Sequence, residues 1–304
     1  MEVTGRVERL RGLCDETRAT GQRVGFVPTM GALHEGHLSL VRRAREETAA
    51  VVVSVFVNPL QFGPEEDYRD YPRSLSADAE LAEKEGVDVV FAPDDDAMYE
   101  RGTSEITVDP GGLGDMLEGV SRPGHFRGVC TVVAKLFNMV GPCRAYFGEK
   151  DFQQVMVIRS MVNALGFPVE IEGCPTVREL DGLAMSSRNA YLSEEERRAA
   201  TCLYRALSRG ADVVAHGERD ANVVKAEIAK VIGAEPLARI DYVAVVDEGS
   251  FHEVDRIEPA GDWRVTVVSE GRAEKTSLVA LPHARALVAA RFGTTRLIDN
   301  MPLP

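Results

Sequence analysis

Seven consecutive residues, Val51-Val52-Val53-Ser54-Val55-Phe56-Val57, are apolar on both faces of an extended chain. A strand with one wet face alternates polar and apolar residues, whereas a strand buried on both faces reads as a continuous apolar run. Double burial is the condition of a parallel sheet covered by helices, and parallel strands need crossover connections rather than hairpins. The flanking sequence supplies them. Strand-like residues 24–27 lead to a helical pattern over 36–48, then to the apolar run at 51–57. A second helical pattern over 76–85 ends at Gly86 and precedes a strand at 87–91. Further on come a helix near 128–139, a strand at 144–147, a helix over 151–165 and a strand at 169–172. This alternation predicts an α/β fold with a Rossmann-like, doubly wound parallel sheet, in which ligands bind beyond the carboxyl ends of the strands.

With 304 residues the chain is long for one core. Its character changes near residue 176. Charged amphipathic helices over 194–214 and 222–232 are followed by short strands at 240–246, 264–268, 277–280 and 286–290. We therefore expect a Rossmann-like domain over 1–176 and a smaller α+β domain over 177–304. No apolar stretch is long enough to span a membrane. Met1-Glu2-Val3-Thr4 lacks a basic region followed by an apolar one, so no secretory signal is expected. The five cysteines (14, 130, 143, 174 and 202) are scattered and never form a CxxC pair. That pattern suits small buried apolar residues in a reducing, cytoplasmic setting rather than a disulfide framework or a structural zinc site. A net charge of −13 with no basic stripe argues against a polynucleotide partner. It does not argue against a small anion held by a few converging cations.

Five segments carry residue types suited to such a site. Pro28-Thr29-Met30-Gly31-Ala32-Leu33-His34-Glu35-Gly36-His37 joins a strand to a helix. Helix N-termini present unpaired N–H groups to anions, and His34 and His37, three apart, share one face there. Gly36 allows close approach of a ligand. The same residues also suit a helix start whose histidines merely cap or pack. Phe147-Gly148-Glu149-Lys150-Asp151-Phe152-Gln153-Gln154 repeats the strand-to-helix pattern at the same sheet edge, with Lys150 a point charge for phosphate; Asp151 is equally an N-cap candidate. Met185-Ser186-Ser187-Arg188-Asn189 sets two hydroxyls beside a guanidinium, a donor set for phosphate oxygens that also occurs in ordinary polar loops. Asn58 and Gln61 leave the buried strand as neutral polar groups among apolar neighbours, as a small-molecule pocket requires. Finally, Arg122, His125 and Arg127 precede the helix through Val133, where they suit cationic contacts, a loop or a subunit interface.

In this order and spacing, the segments from Phe26 to about Arg198 resemble the pantothenate synthetase family, the pantoate–β-alanine ligases. Ala290-Arg291-Phe292-Gly293-Thr294-Thr295-Arg296-Leu297-Ile298-Asp299-Asn300 resembles the family's C-terminal end. The resemblance implies a HIGH-type nucleotidyltransferase fold, with His34–His37 as the HIGH signature and Met185, Ser186, Ser187 and Arg188 as a mobile KMSKS-type loop. It also implies a two-step reaction. Pantoate attacks the α-phosphate of ATP to give pantoyl adenylate and pyrophosphate; the amine of β-alanine then displaces AMP. On this resemblance Met30, Gly31, His34, His37, Gly148, Glu149, Lys150, Asp151, Val177 and residues 185–188 bind ATP. Gln61 and Gln154 hold pantoate, Gln61 also contacts β-alanine, and Met30 covers the geminal methyl groups. His37 would be assigned as proton donor, although its residue type suits hydrogen-bonding and electrostatic stabilisation of phosphate charge. Mg²⁺ would accompany the nucleotide, held mostly by phosphate oxygens. The family implies a homodimer; cysteine usage, net charge and the lack of a spanning stretch, as read above, add a cytoplasmic setting with no nucleic-acid or membrane partner.

Residues 63–73, rich in Pro, Gly and charge, are a candidate lid. Residues 262–282 read as a hairpin additional to the family pattern. Another HIGH-type nucleotidyltransferase acting on a phosphate-bearing substrate is the competing enzyme class, but such a substrate calls for Arg or Lys where Gln61 and Gln154 stand. A catalytically silent nucleotide-binding scaffold fits poorly with both histidines, Lys150 and Arg188 being present.

Overall fold

A computed structural model describes residues 1–64, 68–99, 106–258, 262–269, 272–280 and 284–304, with 262–280 described as backbone. The chain divides into two packed units. The first is Met1–Arg178 with Met185–Ser187; the second is Glu179–Ala184 with Arg188–Pro304.

The first unit is built on six parallel strands: β1 (Glu2–Thr4), β2 (Val24–Thr29), β3 (Ala50–Val55), β4 (Val89–Phe91), β5 (Cys143–Gly148) and β6 (Val169–Cys174). They lie in the order β1-β4-β3-β2-β5-β6. Strand order reverses between β2 and β5, and ligands of doubly wound sheets occupy the crevice at such a reversal. Here β2 pairs with β5 only at Gly25 and Phe26, while its pairing with β3 continues to Thr29. The two central strands therefore part toward their carboxyl ends, and both His34–His37 and Lys150 follow from those parted ends.

Helices cover both faces. On one side α1 (Val7–Ala19), α6 (His125–Val140) and α7 (Phe152–Leu165) pack over Val24, Phe26 and Val52. On the other, α2 (Glu35–Glu47) and α3 (Leu75–Lys84) pack over Val27, Val51 and Val53. The alternation of Val51 and Val53 against Val52 is the period-two pattern of a strand, buried here on both sides. Gly25 is required by the packing, since a Cβ there would lie 2.5 Å from Thr48 Oγ1 and 3.2 Å from the Ala44 methyl. Two single-turn helices, α4 (Asp95–Met98) and α5 (Glu118–Ser121), complete this unit.

In the second unit α8 (Glu194–Ala200), α9 (Cys202–Ala215) and α10 (Ala221–Gly233) accompany a three-stranded antiparallel sheet. Its order is β11-β10-β7, formed by β7 (Ala238–Asp247), β10 (Ala284–Phe292) and β11 (Thr295–Leu303). Helices α9 and α10 bury Leu203, Leu207, Val224 and Ile228 with Val245, Ala286 and Val288. A separate two-stranded ribbon consists of β8 (Asp262–Ser269) and β9 (Arg272–Ala280). It agrees with the hairpin expected over 262–282, of which residues 270, 271, 281 and 282 lie outside the described residues.

Several boundaries differ from the sequence expectation, two of them in helices. The helix expected over 194–214 is two helices, because Thr201 closes the first with both its N–H (3.3 Å) and its hydroxyl (2.7 Å) on the Arg198 carbonyl. The helix expected to begin near 128 begins at His125, after the left-handed Gly124 (φ +81°). Its first turn thus includes His125, where polar side chains hide an apolar helical pattern. Sequence patterning also missed β1 and α1, the former too short to show a period. All five cysteines are buried and free, as small apolar residues would be. No helix among the described residues is long and apolar enough to cross a membrane.

Candidate active site

The loop after β2 is shaped by a buried carboxylate. Gly31 (φ +83°) and Ala32 (φ +50°) turn the chain through left-handed backbone, aiming consecutive N–H groups inward. Asp78 on α3, only 3% exposed, accepts from Ala32 N (3.1 Å) and Leu33 N (2.7 Å). Thr29 completes the turn: its hydroxyl donates to the Ser54 carbonyl (2.7 Å) and accepts from Gly31 N (3.0 Å). Asp78 escaped the sequence reading because an acid on an amphipathic helix reads as a solvated face. Its spacing carried a signal, since it stands one turn before the buried Ala82.

His34 is the N-cap of α2. Its Nδ1 accepts from Gly36 N (3.1 Å), while His34 N donates to His37 Nδ1 (3.4 Å). The histidines therefore do cap the helix, as one of the sequence alternatives has it. Capping uses one nitrogen of each ring. A neutral imidazole whose Nδ1 accepts carries its proton on Nε2, so each ring keeps an Nε2–H donor. The ring centroids are 4.1 Å apart. Gly36 serves this arrangement rather than simply opening space for a ligand: a Cβ there would lie 2.8 Å from His34 Cε1.

Both imidazoles are held below their ordinary basicity. Burial lowers His34, with Lys150 adding to the effect and Asp151 opposing it. Burial, then His34, pushes His37 down to about 3. The pair is neutral at pH 7 in the free protein, and His37 is a hydrogen-bond donor there rather than an imidazolium acid.

The second strand end brings Lys150 to the same place. Between β5 and α7 the chain makes a 3-10 turn, Glu149–Asp151, so the helix starts at Phe152 rather than Asp151. Lys150 Nζ lies 3.4 Å from Asp151 Oδ1, its side chain mostly buried, and both charges act on the two imidazoles. Gly148 faces open space where a side chain would stand. On α7, Gln153 is structural: it accepts from Glu118 N (3.1 Å) and donates to the carbonyls of Leu113 (3.1 Å) and Met116 (2.7 Å). Gln154, partly buried, stands outside that network.

Gln61 sits on a 3-10 turn, Pro59–Gln61, and is 8% exposed. Its Oε1 accepts from Asn58 Nδ2 (3.0 Å), and its Nε2 donates to Met30 Sδ (3.0 Å). Met30 belongs to the histidine loop, so the amide and the imidazoles flank one stretch of backbone. Tyr99 and Gly128, neither singled out in the sequence, also support this turn. Arg122 and His125 face the Gln61 carbonyl, contacts that serve the loop-stabilising alternative. A pocket of about 340 Å³ adjoins Met30, lined also by Val55, Val57, Tyr68, Arg73 and Asp78. Tyr68 and Arg73 come from the candidate lid over 63–73, of which residues 65–67 lie outside the described residues.

Of the third segment, Met185 and Ser187 lie in the first unit. Met185 N bonds the Val177 carbonyl (3.0 Å), and Met185 Cβ stands 3.9 Å from where a Gly36 Cβ would be. Ser187 Oγ is 3.3 Å from Tyr71 Oη. Ser186 lies between them in the same unit, and Arg188 is grouped with the second unit. In that unit Asn189 donates to Glu179 Oε1 (3.2 Å) and the Ala184 carbonyl (3.1 Å), bracing the turn between them.

A sequence model of the Pantoate-beta-alanine ligase family matches residues 2–302. A pantothenate synthetase of Rubrobacter xylanophilus is 52% identical, over 97% of this chain and 96% of that protein. The crystal structure of pantothenate synthetase from Thermus thermophilus superposes with a TM-score of 0.87 at 46% identity, each chain covered in full. A pantoate-beta-alanine ligase from Francisella tularensis, complexed with beta-gamma ATP and beta-alanine, matches with a TM-score of 0.74 at 31% identity over 99% of this chain and 97% of that one. With the fold and the paired strand-end motifs in hand, these similarities identify the chain as a member of the pantoate–β-alanine ligase family of enzymes.

Proposed function

We propose that the protein condenses pantoate with β-alanine at the expense of ATP, through a pantoyl-adenylate intermediate. The observation that carries this reading is two neutral imidazoles and Lys150 at one crevice, joined through Met30 to the neutral amide of Gln61. In the first step a pantoate carboxylate oxygen bonds the α-phosphorus and the bond to the β-phosphate oxygen breaks, releasing pyrophosphate. The carboxylate, with a pKa of roughly 4, is already ionised at neutral pH and needs no base. Alignment and charge stabilisation are what the residues can supply. The Nε2–H groups of His34 and His37 and the ammonium of Lys150 hold phosphate oxygens as charge moves toward pyrophosphate; Ser186, Ser187 and Arg188 join them by resemblance to the family. Met30, Gly31, Gly148, Glu149, Asp151, Val177 and Met185 line the nucleotide. In the second step the amine of β-alanine bonds the acyl carbon, the carbon–oxygen bond to AMP breaks and the amine loses a proton.

Gln61 and Gln154 hold pantoate without an ion pair that would weaken its carboxylate as a nucleophile, and Gln61 also contacts β-alanine. Mg²⁺ entering with ATP would be held mostly by the nucleotide and would supply neutralisation of phosphate charge. Such an ion would keep several waters and need few protein ligands; the acids flanking Lys150 are Glu149 and Asp151, and Asp151 already stands beside the ammonium. The first unit is assigned ATP and pantoate binding, the second a lid role. By resemblance to the family, the protein is assigned as a cytoplasmic homodimer.

Isotope exchange between pyrophosphate and ATP tests the reaction. Exchange should depend on pantoate and proceed without β-alanine. Exchange without pantoate, or none in protein that forms product, removes the adenylate.

A further inference from the structure

The amide of Asn58 uses all of its hydrogen-bonding capacity. Its Nδ2 donates to the Gly128 carbonyl (3.1 Å) and to Gln61 Oε1 (3.0 Å); its Oδ1 accepts from Leu60 N (3.3 Å) and from Tyr99 Oη (2.7 Å). Two of these partners cannot exchange roles, since a backbone N–H only donates and a carbonyl only accepts. Turning the Asn58 amide over would set oxygen against oxygen at Gly128 and N–H against N–H at Leu60. Its orientation is therefore determined, and with it that of Gln61, whose oxygen must face Asn58 and whose NH₂ must face Met30. Among the described residues that NH₂ meets a thioether sulfur, a weak acceptor. An oxygen of a bound acid makes the stronger bond.

The backbone of Gln61 is held in the same way. Arg122 Nη1 lies 3.0 Å from His125 Nε2, and a guanidinium only donates, so Nε2 accepts and the ring proton resides on Nδ1. Nδ1–H then donates to the Gln61 carbonyl at 2.9 Å. His125 and Tyr99 are both buried, and each touches the turn carrying the amide.

We propose that Tyr99 and His125 are positioning residues that set the Gln61 amide with its N–H donors toward the substrate acid, Tyr99 through Asn58 and His125 through the Gln61 peptide. The inference rests on the pantoate-binding role proposed for Gln61. It explains how a neutral amide selects an oxygen acceptor: the donor end is turned to the ligand and the oxygen is engaged behind it. The Tyr99 hydroxyl contributes by saturating Asn58, without touching substrate.

Tyr99→Phe removes one hydroxyl and keeps the buried ring. It should raise KM for pantoate by roughly three- to tenfold, the worth of one hydrogen bond, and leave KM for ATP within about twofold of wild type. His125→Leu should act in the same direction. His125→Asn, which keeps a donor near the Nδ1 position, should recover most of the loss. In a double-mutant cycle, Tyr99→Phe should change pantoate affinity little when Gln61 is already alanine, because its route to the ligand is gone. Equal effects on ATP and pantoate, no effect of Tyr99→Phe, or full additivity with Gln61→Ala would overturn the proposal. Pantoate titration calorimetry separates this failure from failure of the proposed reaction. Wild-type protein that takes up no pantoate removes the substrate assignment. Wild-type uptake matched by Tyr99→Phe removes only the positioning role.

Discussion

Gly128→Ala is a one-carbon change with a large expected effect. Gly128 lies in the first turn of α6, where the helix crosses the Pro59–Gln61 turn. A Cβ there would fall 2.2 Å from the Leu60 oxygen, 2.4 Å from the Leu60 carbonyl carbon and 2.6 Å from Gln61 N. All three neighbours are backbone atoms, so no rotamer change relieves the clash. Helix and turn must separate by roughly 1 Å to restore an acceptable contact. Overpacking on that scale costs about 1–3 kcal/mol, a fall in Tm of roughly 2–12 °C for a unit of this size. The turn that must move carries Gln61, and a shift of about 1 Å in a positioning group costs up to ~100-fold in rate. Thermal unfolding and pantoate-dependent pyrophosphate exchange measure the two effects together. Gly12→Ala is the internal control: it lies inside α1 with nothing within 4 Å of the added carbon, and should stabilise by about 0.5–1 kcal/mol. If Gly128→Ala melted with wild-type protein and exchanged within about twofold of its rate, the close approach of α6 to the Gln61 turn would not be what positions that side chain.

Asp78→Ala leaves the Ala32 and Leu33 N–H groups without their carboxylate. It should cost about 1–3 kcal/mol per unpaired group and lower exchange further than the loss of stability explains, as measured by denaturant unfolding beside exchange kinetics; unchanged exchange would refute it. The depressed pKa of His37 has a defined sign. Unfolded, the ring takes up a proton near its ordinary value of 6.5; folded, it resists until about 3. Its contribution is fully present above about pH 6.5 and declines as pH falls from there toward 3. His37→Gln should therefore flatten the acid side of the stability–pH curve, and parallel curves for variant and wild type would exclude burial of a neutral His37. Chelation of divalent metal should abolish turnover while leaving the melting of nucleotide-free protein unchanged. A large fall in Tm would instead indicate a metal held by the protein itself.

The strands and most helices were legible because their patterns are long and their burial is two-sided. Residues 51–57 could satisfy their apolar surface only inside a covered sheet, and the turns after β2 and β5 announced themselves through glycine and charge. Less visible were elements that depend on partners distant in sequence. β1 is three residues long and shows no period. The break at Thr201 arises from one side chain bonding its own backbone. Asp78 resembles the solvated acids around it until its helix is docked against residues 32 and 33.

The same distinction runs through the site. Sequence alone determined the α/β class, the strand-to-helix position of His34, His37 and Lys150, and the choice of a neutral amide at Gln61, because these follow from local pattern and residue chemistry. Only the tertiary structure decided how those groups are presented. The histidines cap their own helix and thereby place their protons on Nε2. Burial beside Lys150 holds them neutral, and an Asn58 amide saturated by its own turn, α6 and the Tyr99 hydroxyl sets the donor end of Gln61 toward Met30. Hydrogen-bond direction and desolvation depend on which atoms meet across the fold, and those meetings are made by packing rather than by neighbours in the chain.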